Sequence, residues 1–188
     1  MSALKHLALC RPRRVFDKDR PDGSGSAYGR RAVQLSHAVH APPLQTVLDA
    51  TALKLISPKQ LHSNCIVTPH AGEFLFLFKQ KPTKKNLKEL SKKLGCIIVL
   101  KGKTDLIADN GKIYYNYTGN QGMTKGGTGD ILSGMIAAFA CKNPLLLSCL
   151  AACYLNGFAA DLLKKEKGLL YNAKDLLEKI PEAKKKLE

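Results

Sequence analysis

Asn120-Gln-Gly-Met-Thr-Lys-Gly-Gly-Thr-Gly-Asp130, followed at once by the apolar run Ile131 to Ala140, decides how this chain folds. Gly126, Gly127 and Gly129 crowd into four positions and let backbone N–H groups approach a ligand without Cβ interference. A helix starting at about Asp130 adds unpaired N–H groups and the positive end of its dipole, a ready site for an anion. Asp130 then stands where a phosphate would sit, so the loop reads as backbone holding a phosphate with a base beside it. On these residues alone the competing reading is a glycine-rich turn with an aspartate helix cap.

The surrounding sequence alternates strand and helix signals. Gln45–Asp49 is a short β-like run ending in an acid, and Asn64–Thr68 is a short buried strand. Thr68-Pro-His-Ala-Gly-Glu-Phe74 is a loop entering a helix, with Glu73 in its first turn. Thr83 is a good N-cap for a helix over Lys84–Leu94, where Leu87, Leu90 and Leu94 form a stripe. Cys96-Ile-Ile-Val-Leu100 has the continuous apolar character of a buried parallel strand. Asp109-Asn-Gly111 between two β-like runs signals a hairpin. Helices are expected at 130–142, at 144–164 and from Asn172. The alternation argues for an α/β fold with a mostly parallel sheet flanked by helices. Ligands in such folds lie beyond the carboxyl ends of strands, where the loops at 49, 68–73, 101–105 and 118–130 fall.

The 188 residues suffice for one domain with a real core, and 45% hydrophobic residues exclude a disordered chain. No apolar run approaches the roughly 18 to 20 residues of a membrane span. Six scattered cysteines form no CxxC pair, which predicts reduced thiols in a cytoplasmic protein and no zinc or other metal site built from them. The net charge of +15 admits nucleic-acid binding. The lysines at 79–93, 164–167 and 184–186, however, sit on polar helix faces with little aromatic interleaving, so a solvated surface accounts for most of it. An anionic substrate benefits from the same field.

All six arginines fall within residues 11–31, and lysine replaces them from residue 32 onward. Residues 1–45 therefore read as an atypical, poorly packed basic arm, and 46–188 as the folded portion. A transit-like leader, a basic tail and a foreign reading frame joined to a genuine domain all fit that arm.

Val47-Leu-Asp-Ala-Thr-Ala-Leu53, Thr68-Pro-His-Ala-Gly-Glu73, Val99-Leu-Lys-Gly-Lys-Thr104 and Gly119–Gly134 occur in one order and together resemble a known family. It is the ADP- or ATP-dependent NAD(P)H-hydrate dehydratases of the ribokinase-like superfamily. The last stretch resembles the superfamily as a whole, and the Thr-Pro-His-x-Gly-Glu loop makes the dehydratase specific. The resemblance covers about residues 46 to 165. It implies a ribokinase-like fold lacking its N-terminal part, because residues 1–45 do not match the glycine-rich segment and strands that precede Val47 in the family. Thr51 also departs from the family's second aspartate. A sheet short of strands predicts marginal stability or dependence on oligomerisation.

The implied activity is ADP-dependent dehydration of (S)-NADHX or NADPHX to NADH or NADPH, releasing AMP and phosphate. The implied roles are Asp130 as base and substrate contact, and His70 as substrate contact. Lys101, Gly102, Lys103, Thr104, Asp105, Gly127, Thr128 and Gly129 would form the nucleotide site. Asn120 and Thr124 would shape the same loop. Without the family, His70 reads as a surface histidine, Glu73 as a first-turn acid and Asn156 as a buried, satisfied amide. The implied cofactors are ADP as phosphate donor and Mg2+. The implied partners are the hydrated dinucleotide, a second copy of the chain and an NAD(P)HX epimerase, with no membrane or nucleic acid. Two alternatives remain: a ribokinase-like kinase for a sugar or vitamin-precursor alcohol, and a non-catalytic basic binding protein.

Overall fold

A computed structural model describes residues 44–188. The basic arm set apart above lies outside the described residues, apart from its last two positions. Five strands form one sheet in chain order: β1 (Thr46–Leu48), β2 (Cys65–Val67), β3 (Ile97–Leu100), β4 (Asp105–Asp109) and β5 (Lys112–Asn116). β1, β2 and β3 are parallel, whereas β4 and β5 continue the sheet antiparallel. The helices are α1 (Ala52–Leu55), α2 (Ala71–Phe78), α3 (Lys84–Leu94), α4 (Thr128–Ala140), α5 (Leu145–Lys167) and α6 (Ala173–Lys185).

The continuous apolar strands are explained by cover on both faces. Side chains alternate across a strand. Ile66, Ile97, Val99 and Ile107 point into a core with α4, α5 and α6. Cys65, Val67, Ile98 and Leu100 point into a second core with Phe74 and Phe78 of α2 and Leu87 and Leu90 of α3. The result is three layers, helices on either side of the sheet. The hairpin forms where the Asn-Gly pair lies, with Asn110 at φ 43° and Gly111 at φ 78°, the two positive φ values of a tight two-residue turn.

Thr83 caps α3 by accepting a hydrogen bond from the Asn86 N–H, and Gly95 ends the helix at φ 68°. Asn172 caps α6 in a reciprocal box with Asp175. α5 runs from Leu145 to Lys167, three residues past the expected end, because Lys165, Glu166 and Lys167 continue it as an exposed last turn. By length and composition it could cross a membrane. Here 61% of its most apolar window is buried, against α4, α6 and the sheet, as in the core helix of a packed domain. The five described cysteines are free thiols, as expected.

Candidate active site

The carboxyl ends of β1, β2 and β3 bring three loops to one place. β1 delivers Asp49, β2 leads through Thr68 and Pro69 to His70, and β3 delivers Lys101. The Lys101 N–H donates to the Pro69 carbonyl at 2.9 Å, and His70 and Lys101 form a parallel bridge that extends the sheet by one rung. Lys101 Nζ donates to Asp49 Oδ1 at 2.7 Å and stands 3.9 Å from Glu73 Oε2. All three side chains are largely buried, at 20% exposure for Lys101, 10% for Asp49 and 9% for Glu73. Two carboxylates thus flank one ammonium that is largely removed from water.

The fourth component is the glycine-rich loop. Gly127, at φ 91°, precedes α4, which begins at Thr128, two residues before the expected start. A Cβ at Gly129 would lie 3.4 Å from Lys101 Nζ and 4.0 Å from Asp49 Oδ2. The N-terminus of α4 therefore faces the ammonium directly, and unpaired N–H groups and a cation share one opening. Asp130 lies on the first turn, exposed, with no hydrogen-bond or ion-pair partner for its carboxylate among the described residues.

His70 N-caps α2. Its Nδ1 accepts from the N–H groups of Gly72 at 3.0 Å and Glu73 at 3.2 Å, while Glu73 Oε2 accepts from the His70 N–H. An Nδ1 that accepts twice carries no proton, so the ring's proton sits on Nε2, which stands 3.6 Å from Glu73 Oε1 on an exposed side chain. Glu73 is thus both a cap and a partner of Lys101.

Gly102 and Lys103 are exposed on the turn between β3 and β4. Asp105 points inward: its Oδ1 accepts from the Gly102 N–H at 3.1 Å and its Oδ2 from Asn116 Nδ2 at 3.1 Å. Burial pushes its carboxyl above the ordinary aspartate value, against the pull of Asn116, Gly102 and Lys101. The Thr128 hydroxyl is likewise turned inward, its one proton shared between the carbonyls of Met123 and Lys125, and staples the loop to the start of α4. Thr124 donates its hydroxyl to Gln121 O within the same turn.

Several residues that shape the site carry no sequence motif. Asp161 accepts from the Gly119 N–H at 2.9 Å and from Asn120 Nδ2 at 3.0 Å. Asn120 Oδ1 in turn accepts from the Gly122 N–H and from the Tyr171 hydroxyl at 2.7 Å. Lys125 Nζ donates to the carbonyls of Leu169 and Tyr171, so the turn between α5 and α6 grips the far side of the loop. One signal was available: Asp161 is the lone charge between Leu145 and Leu163, and an acid in so apolar a helix needs a partner. Asn156 corrects an expectation. It is 2% exposed, but its Oδ1 has no hydrogen-bond partner among the described residues, which do not fully satisfy this core amide.

The sequence profile of one family, described as NAD(P)H-hydrate dehydratase, matches residues 23–182. The chain belongs to that family. The match begins within the segment that the sequence reading set apart, and extends past residue 165. The bifunctional NAD(P)H-hydrate repair enzyme Nnr of Methanocaldococcus jannaschii is 42% identical over 139 residues, covering 73% of this chain and 27% of that protein. The ADP-dependent (S)-NAD(P)H-hydrate dehydratase of Nitrosopumilus maritimus is 40% identical over 141 residues, covering 71% of this chain and 49% of that one. Among solved structures, the ADP/ATP-dependent NAD(P)H-hydrate dehydratase of Bacillus subtilis, co-crystallised with ATP/Mg2+, superposes with a TM-score of 0.68. It is 34% identical, and the match covers 76% of this chain and 55% of that one. The chain thus spans about half the length of the single-function relatives, and the fold it shares with them is the ribokinase-like one.

Proposed function

We propose that this chain carries the nucleotide-facing part of an ADP-dependent (S)-NAD(P)H-hydrate dehydratase. The observation that carries this reading is the convergence of Asp49, Glu73 and Gly129 on Lys101, which joins the four stretches of the resemblance at one opening. Phosphoryl transfer asks a protein for positioning and for stabilisation of developing charge rather than covalent chemistry. The N–H groups at Gly127 and Gly129 and the Lys101 ammonium would hold the β-phosphate of ADP. His70, with a donor at Nε2, would orient the hydrated ring.

Asp130, exposed and without a partner among the described residues, would accept the proton of the ring hydroxyl as the hydroxyl oxygen attacks that phosphorus and AMP departs. The ring nitrogen then expels phosphate, and loss of a neighbouring ring proton restores the dihydropyridine of NADH or NADPH. Among the described residues no three His, Cys, Asp or Glu side chains gather to hold a metal ion, and Asp49 and Glu73 are turned to Lys101. Mg2+ therefore has no side-chain cage here and would travel with the nucleotide phosphates.

The test is ADP-dependent recovery of reduced-nicotinamide absorbance from hydrated NADH, beside an Asp130→Asn control. Recovery that the control abolishes supports the reading. Absence of both recovery and ADP binding defeats it.

A further inference from the structure

Asp105 and Asn116 are direct cross-strand partners at the open end of the β4–β5 hairpin. The turn over 101–104 enters the hairpin at Asp105, and the glycine-rich segment leaves it after Asn116. Asn116 is 7% exposed, and both ends of its amide are engaged. Nδ2 donates to Asp105 Oδ2 at 3.1 Å and to the Cys153 carbonyl of α5 at 3.2 Å. Oδ1 accepts from the Thr118 hydroxyl at 2.8 Å and from the Thr118 N–H at 3.4 Å. On the other side, Asp105 Oδ1 holds the Gly102 N–H. Thr118 is pressed against Gly157 of α5, where a Cβ would meet the Thr118 carbonyl carbon at 2.6 Å.

We propose that Asn116 is a positioning residue: through the chain Gly102–Asp105–Asn116–Thr118 it holds the 101–104 turn and the glycine-rich loop in one fixed relation, so that both meet a nucleotide together. This inference rests on the nucleotide reading of those two loops. A fully engaged amide between a carboxylate and a hydroxyl fixes its own orientation, because a flipped Asn116 would aim Oδ1 at Asp105 Oδ2 and Nδ2 at the Thr118 donors. The ionisable groups facing the pair are Lys101 at the end of β3 and the Cys153 thiol on α5.

Asn116→Asp tests it, since the shape is kept and the donor is lost. Two facing carboxylates share one proton, so acidification rebuilds the Asp105–residue 116 bond as O–H···O. Two readouts are compared with the native chain: amide hydrogen exchange over 101–105 and 117–123 without ligand, and ADP affinity by calorimetry. At about pH 8 the variant should exchange faster in both segments but not in α2, and bind ADP at least about 10-fold more weakly, the order of one charge-assisted hydrogen bond. On acidification, as the pair takes up its proton, both differences from native should shrink to within about 3-fold.

The reciprocal double variant Asp105→Asn/Asn116→Asp restores the carboxylate–amide pair but not the bond to the Cys153 carbonyl, and should recover the greater part of both readouts at either pH. It also serves if the single variant does not fold. Unchanged exchange in both segments overturns the proposal, as does a loss that neither acid nor the reciprocal pair recovers. If the native chain binds no ADP, the functional reading falls while the exchange measurement still decides the coupling.

Discussion

Lys101 Nζ and Asp49 Oδ1 meet at 2.7 Å across 52 residues of sequence. The contact ties the end of β1 to the end of β3 over the intervening β2, and aims the ammonium at the start of α4. Asp49→Ala leaves a largely buried cation with only Glu73, at 3.9 Å. The expected loss is about 2 kcal/mol of stability, between an exposed pair and a fully buried one. Urea unfolding of the variant measures it, and ADP affinity should fall in parallel.

Asp130→Asn separates chemistry from folding. The side chain is exposed and has no partner among the described residues, so stability should change by no more than about 1 kcal/mol, the loss of a first-turn acid from a helix dipole. Dehydration should slow by about 100-fold or more, the contribution of a positioned proton acceptor. Thermal melts alongside the absorbance assay give both numbers.

Two glycine-to-alanine changes should fail in different ways. At Gly129 an added Cβ meets the side-chain end of Lys101, not backbone, at 3.4 Å, so the fold should survive while ADP binding weakens. At Gly157 it meets the Thr118 hydroxyl, and the backbone carbon and oxygen of Thr118 at 2.6 and 2.7 Å, which cannot step aside alone. Gly157→Ala should therefore lose about 1–3 kcal/mol by overpacking. Melting temperatures for both, with ADP calorimetry on Gly129→Ala, check the contrast.

Acid should act with two signs. The hydrogen bonds of Lys179 and Lys186 hold the Glu182 carboxyl down to about 2, from an ordinary 4.5, and those of Lys167 and Asn172 lower Asp175. A depressed carboxylate contributes stability present above its unfolded value and lost as pH falls through its folded one. The ion pairs of Glu182 along α6 should thus weaken between 4.5 and about 2, and the Lys167–Asp175 link from α5 to α6 should weaken as pH falls below the ordinary aspartate range. Asp105, raised by burial, behaves oppositely: its buried charge destabilises at neutral pH and is relieved as the carboxyl takes up its proton. Melting temperature against pH should show a shallow gain before the acid loss, and Glu182→Gln should reduce the loss below 4.5.

Local chemistry was legible in the sequence. The Thr83 cap, the Asn110-Gly111 turn, the apolar β3 strand and the reciprocal Asn172–Asp175 cap all follow from neighbours within a few positions. So was the glycine-rich loop, whose meaning lies in its own spacing. What stayed hidden was pairing at a distance. Asp49 reads as a strand-end acid until Lys101 is beside it, and Asn116 as one more polar residue in a tyrosine-rich strand until the hairpin register sets it opposite Asp105. Thr128 and Asp105 hold a second role that their motif positions did not reveal: the Thr128 hydroxyl ties down loop carbonyls, and Asp105 holds the Gly102 N–H and the Asn116 amide.

The sheet order also carries a consequence for the timing of assembly. β4 and β5 close on each other across two residues, and the helices form from local contacts, whereas β1 reaches β2, and Asp49 reaches Lys101, only after long excursions of chain. Closure of long loops is slow compared with turns and helices. During refolding the helical signal should therefore return early and ADP recognition last, so that activity, rather than helix content, marks a finished molecule.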